Sequence, residues 1–209
     1  SLIRIGPVLA FLALVAWMTP GASAQSKDAT FDSAVFLMRQ ALRVHQDGRQ
    51  NQLLRSLRHL ADPQLTPLLN ELAQSDYPIF KIHGLLGLAE CSDPRQIDLV
   101  RVAAVEDPAV QAELVSAALD SELLTLDQCQ QLVDWPGLDV AVKVIVSAPL
   151  VKAGRLSKLE PLHEAAKAEN LGRRSLANLL LLQMGHAPAM DALDKLNISD
   201  NPSRDQVRD

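Results

Sequence analysis

Aromatic residues are scarce. There are seven in 209 residues, 3% of the chain, and two of them, Phe11 and Trp17, fall in the extreme N-terminal segment. Stacking successive bases or sugar rings needs aromatic platforms, so this composition argues against such ligands. Cysteine is limited to Cys91 and Cys129, which is no disulfide framework and no Cys-x-x-Cys pair. In the layout derived below they lie about two repeats apart, beyond disulfide reach, and two separate thiols packed as small apolar groups are expected. Positive charge is also lacking: the formal net charge is −5. Residues 25–61 carry six basic and three acidic side chains, whereas 62–169 carry eight basic and seventeen acidic. A nucleic-acid partner needs a positive track, so none is expected. Arg39, Arg43, Arg49, Arg55 and Arg58 make the start basic, which reads as a solvated helix face.

Chemistry-bearing motifs are missing too. His45, His59, His83, His163 and His186 show no metal-ligand spacing such as His-Glu-x-x-His. His163-Glu164 reads as a surface pair, and His83, on an apolar helix, as a half-buried hydrogen-bonded side chain. There is no Gly-x-Ser-x-Gly elbow, Walker loop or dinucleotide fingerprint. Gly84-Leu85-Leu86-Gly87 sits mid-helix and cannot cradle phosphate as a loop would. Carboxylates such as Glu106-Asp107 stand at helix junctions, with Asp107 already committed to capping, and nothing suggests the desolvated pocket a general acid needs. No catalysis, cofactor or metal is expected.

Long apolar runs are few. Val8–Met18 is eleven residues, too short for a hydrocarbon core of roughly 30 Å. Arg4 before it, Pro20-Gly21 after it and Ala22-Ser23-Ala24 fit a secretory signal over 1–24. The mature chain is then exported, periplasmic or extracellular, with no stable membrane span after signal removal.

What is abundant is Leu and Ala, which favour helix. Asp32 or Ser33 can cap a first helix that Gly48 would end. Leu53, Leu54, Leu57, Leu60 and Ala61 form the buried face of a second. From there Asp-Pro and Asp-x-Pro punctuation opens helices at Asp62-Pro63, Asp76-Tyr77-Pro78, Asp93-Pro94 and Asp107-Pro108, since Asp caps well and Pro suits the first turn. Leu65, Leu68, Leu69 and Leu72 face inward on the third helix. Ile97, Val100, Ala104 and Val105 do so on the fifth, and Val110, Leu114, Ala117 and Ala118 on the sixth. Thr125–Gln128 is a capping box. An eighth helix over Leu138–Ser147 is expected to kink or stop at Pro149, and its Val140–Val146 run is the best strand candidate in the chain. Ser157–Glu160 is a second capping box. Helices over Leu171–Met184 and Pro188–Leu196 follow, then a polar tail over 198–209, which reads as an end of the chain. Gly84 and Gly87, each costing roughly 1 kcal/mol inside a helix, imply close approach of a neighbour.

The stretch Asp76–Asp120 shows the underlying unit. Pro63 to Pro94, Pro78 to Pro108 and Pro108 to Pro136 are separated by 31, 30 and 28 residues. Two interleaved series of helix starts at one period mean helix pairs that stack to cover one another's apolar faces. Asp107-Pro108-Ala109-Val110-Gln111, with Leu114, Ala117, Ala118 and Leu119, resembles the second helix of a short HEAT repeat of the kind seen in bilin-lyase-like proteins. The resemblance covers about residues 49–196. It implies an all-α fold: a right-handed α-solenoid of about four to five stacked helix pairs, in a repeat domain over 25–197. Such proteins often carry Arg where Gln111 stands. Aligned positions here hold Lys81, Asp139 and Arg174, so the basic ladder is broken.

In HEAT-like solenoids the second helices line the concave side. Lys81, Gln111, Asp139 and Arg174, with Lys143 and Asn178 one turn further on, are expected to form a mixed polar stripe contacting a protein or peptide partner. The expected function is a non-catalytic interaction scaffold. An accessory helical domain of a larger exported enzyme is a second reading, and lyase-like tetrapyrrole binding a third, disfavoured by export and by the lack of an exposed reactive cysteine.

Overall fold

A computed structural model describes residues 25–43 and 47–195. The expected signal segment and polar tail lie outside the described residues. Among these residues there are eleven α-helices and no strand. The chain divides into two compact units, Ser1–Leu53 and Leu54–Asp209.

In the first unit, α1 spans Gln25–Arg43 and α2 begins at Asp47. The first helix therefore starts before Asp32. Gly48 lies in the first turn of α2 rather than closing α1. Val35 and Leu42 are buried, Phe36 and Leu37 are exposed, and Gln50 Nε2 donates to the Leu42 carbonyl at 2.7 Å.

The second unit takes up α2, which ends at His59, and adds α3 (Thr66–Ala73), α4 (Pro78–Glu90), α5 (Leu99–Ala103), α6 (Pro108–Asp120), α7 (Leu126–Asp134), α8 (Val140–Lys152), α9 (Glu160–Ala165), α10 (Leu171–Gln183) and α11 (Pro188–Lys195). Because α2 stops at His59, Leu60 falls past its end and is exposed, leaving Leu54 and Leu57 as its buried apolar residues. Asp62 caps as expected, accepting from Gln64 N at 2.9 Å, although Pro63–Leu65 forms a 3-10 turn before α3. Leu65, Leu68, Leu69 and Leu72 are buried.

The two glycines of α4 have the anticipated cause. A methyl group at Gly84 would lie 2.7 Å from the Leu69 carbonyl oxygen and 2.8 Å from the Ala73 Cα; at Gly87 it would meet Leu69 Cδ2 at 2.5 Å. The backbone of α4 thus rests directly on α3, and no larger residue fits at 84 without moving main chain.

Asp93-Pro94 does not open a helix. Residues 91–98 are turn and irregular chain, and Ser92 Oγ lies 2.7 Å and 2.8 Å from the Ala89 and Pro94 carbonyls. The cap is Asp98, accepting from Val100 N and Arg101 N at 2.9 and 3.4 Å. That later start rotates the short helix. Leu99 and Val102 face inward, while Val100 is 67% exposed.

Thr125 and Gln128 form the expected reciprocal cap of α7. The expected cap at Ser157 is absent: α9 starts at Glu160 with no side-chain cap, and Lys158 pairs instead with Asp134 at 2.5 Å. Pro149 does not stop α8, which runs on to Lys152. A proline inside a helix costs about 3 kcal/mol, but each fully buried aliphatic side chain returns about 1.5–3 kcal/mol. Val142, Val144, Val146 and Leu150 are all at or below 1% exposure. The same packing makes a helix of the β-branched run.

Packing follows a simple order. Each of α4, α6, α8 and α10 touches the next, and α3 packs on α4, α5 on α6, α7 on α8 and α9 on both α8 and α10. One apolar core runs from Ile82 to Ala189.

Candidate functional site

The starts of α4, α6, α8 and α10 define an equivalent position. Lys81, Gln111, Lys143 and Arg174 each donate the first helical backbone bond, to the carbonyls of Tyr77, Asp107, Asp139 and Asn170 at 3.0, 2.9, 3.2 and 3.0 Å. Asp139 therefore does not align with Lys81 and Arg174. Pro136-Gly137 forms a turn, Gly137 at φ +76°, and Asp139 caps α8 by accepting from Ala141 N at 2.7 Å. The aligned residue is Lys143, so the row reads Lys, Gln, Lys, Arg.

Two members of the expected stripe are inaccessible. Gln111 is 5% exposed and its Nε2 donates to the Val102 and Val105 carbonyls at 2.9 and 3.3 Å. Asn178 is 3% exposed and donates to the Arg174 carbonyl at 2.8 Å. Both serve the fold, because a buried amide left without such bonds is costly. Asp139 is half-buried and stands 3.8 Å from Arg173. Lys81, Lys143 and Arg174 are half-buried, and their side chains make no hydrogen bond or ion pair among the described residues. Arg174 Nε is buried without a partner there.

Two clefts open beside this row. One, of about 360 Å³, is lined among others by Gln74, Lys81, Leu85, Arg101, Ala104 and Val105. Arg101 is steadied by Asp98 at 3.6 Å and Asn70 at 3.1 Å. The other, of about 320 Å³, is lined among others by Val105, Glu106, Gln111, Trp135 and Asp139. They occupy similar places in successive helix pairs: the end of a first helix and the start of its second, closed by α5 in one and by the 135–139 turn after α7 in the other. Val105 forms a wall of both. Their charges are opposite, cationic at Lys81 and Arg101, anionic at Glu106 and Asp139 beside the half-buried indole of Trp135.

A separate polar cluster is buried where α2, α4 and the end of α6 meet. Arg58 Nε and Nη2 donate to Glu90 Oε2 and Oε1 at 3.1 and 2.5 Å. Arg58 Nη2 also reaches Ser121 Oγ at 3.3 Å, and Nη1 lies 3.5 Å from His83 Nδ1. Arg58, His83 and Glu90 are 9%, 7% and 7% exposed. Arg58 is thus no part of a solvated face. Burial, then the charges of Arg58 and Arg55, lower the His83 pKa from 6.5 to about 4, against the opposing pull of Glu90. The imidazole is neutral at pH 7, with Nδ1 available to accept from Arg58. Sequence reading missed Glu90, though it was the one carboxylate in a helix whose other ionisable side chains are Lys81 and His83.

Cys129 is buried and Cys91 half-buried, both as free thiols, and burial raises both pKa values. His163 packs edge-on against His186 with ring centres 4.9 Å apart. Among the described residues, no group of His, Cys, Asp and Glu is placed to hold a metal and no helix is long and apolar enough to cross a membrane. No family model, curated protein or solved structure matches the chain.

Proposed function

We propose that this chain is a HEAT-like helical-repeat scaffold, an α-solenoid exported to the periplasm or extracellular space, that binds a protein or peptide partner and performs no catalysis. The observation that carries the reading is the row of second helices. Four successive helices touch in order, and three of their four equivalent first-turn positions hold a cation whose side chain makes no hydrogen bond or ion pair among the described residues. Lys143 feels the Asp134 carboxylate only at a distance, and Arg174 Nε is buried with no hydrogen-bond partner among the described residues. Such side chains belong to a surface that an external group completes. The buried Arg58–Glu90–His83 cluster is closed and fully packed, which fits a structural role.

Export rests on the apolar run, breaker and small-residue site of residues 1–24. Mature protein crosslinked in its native envelope should capture a discrete partner. The double substitution Lys143→Glu/Arg174→Glu should cut that capture at least severalfold while leaving the helical circular dichroism unchanged. Undiminished capture would remove this row as the binding face.

A further inference from the structure

We propose that the Lys81 cleft and the Trp135 cleft together take one extended peptide segment, with an acidic side chain in the first and a basic side chain in the second. The proposal rests on the scaffold reading and gives the partner its chemistry.

The clefts share the Val105 wall, so a ligand lying across it meets both. In the first, Lys81 has no partner among the described residues. Arg101 is held in place by Asp98 and Asn70, with donors to spare on its guanidinium. Two cations with apolar stems around them suit a carboxylate. In the second, the Glu106 carboxylate is exposed and makes no hydrogen bond or ion pair among the described residues. Trp135 adds an aromatic face, and a carboxylate beside an indole is a setting that attracts a guanidinium or ammonium. Gln111 closes the floor of this cleft and, its amide spent on Val102 and Val105, contributes no charge.

Spacing follows from helix packing. Neighbouring helices stand about 8–10 Å apart, and an extended chain advances about 3.3 Å per residue. The acidic and basic residues of the ligand are therefore about three positions apart. A longer acidic segment would continue past Lys143 and Arg174, whose side chains make no hydrogen bond or ion pair among the described residues.

The test uses the full chain against an array of decapeptides on a neutral Ser/Thr/Ala background. Each holds one Glu and one Arg, separated by one to six positions, in both orders. Binding should peak near a separation of three and favour one order. Lys81→Glu or Glu106→Lys should weaken the best peptide about tenfold. The double exchange Lys81→Glu/Glu106→Lys leaves one cation and one carboxylate in each cleft, so the preference for one order should vanish while the helical circular dichroism stays unchanged. Parent binding indifferent to order and spacing, an unchanged preference in the double exchange, or no binding to any peptide would each overturn the proposal. None of these touches the scaffold reading, which stands or falls on partner capture in the Lys143→Glu/Arg174→Glu protein.

Discussion

Replacing Glu90 with alanine is expected to destabilise the fold by about 3–5 kcal/mol, because it strands the Arg58 guanidinium in a site closed to water. Arg58 is 9% exposed and both its Nε and Nη2 are directed at the Glu90 carboxylate. Without that carboxylate, only Ser121 Oγ and the long contact to His83 remain. Removing both charges should behave very differently. Arg58→Met/Glu90→Leu keeps the aliphatic stem that lies 3.3 Å from a Cβ position at Gly87, and leaves no buried ion. Its stability should return to within about 1–2 kcal/mol of the parent, since buried ion pairs roughly break even against apolar replacements. Urea unfolding of the three proteins decides the matter. A double variant as unstable as Glu90→Ala would mean that the loss is one of packing and not of charge.

Acid should weaken the fold through His83. Its folded pKa, about 4, lies below the ordinary 6.5, so the unfolded chain takes up a proton that the folded chain refuses. The sign follows: the His83 contribution is complete above pH 6.5 and is lost as pH falls from 6.5 towards 4. Across that window the loss from this residue is about 3 kcal/mol. His83→Gln should flatten the profile between pH 4 and 6.5 while remaining folded at pH 7, where the parent ring is neutral as well. Urea unfolding at half-unit pH steps reads it directly. Equal slopes in the two proteins would show that His83 does not couple to folding.

Local signals in the sequence were read well, and distant ones poorly. The Thr125–Gln128 box, the Asp62 and Asp107 caps and the Leu65–Leu72 face depend on neighbours a few residues away, and the structure places them as expected. Gly84 announced a close helix crossing because its helical cost needed a reason. Asp93-Pro94 misled, since the same dipeptide that opens α6 here sits in an irregular loop and the cap passes to Asp98. Pro136 misled likewise: counting from it put Asp139 in register, whereas the turn at Gly137 delays α8 by one helical turn and brings Lys143 there. Pro149 stays helical because core burial outweighs the lost bond. The Arg58–Glu90 pair spans 32 residues, and no periodicity announces such a partnership. The two clefts are also products of packing. The walls of one come from three helices and those of the other from two helices and the 135–139 turn, and only the assembled row shows that cationic and acidic sites share Val105.

Site-specific photocrosslinking in the native cell tests the interaction account most directly. A benzophenone side chain at Glu106, in the Trp135 cleft, and at Ala109, exposed in the first turn of α6, should each yield an adduct with the same partner protein. The same probe at Glu164, exposed on α9, the first helix of its pair, should yield none. Adducts from Glu164 equal to those from Glu106, or no adduct from Glu106 and Ala109, would contradict the assignment of this face to partner binding.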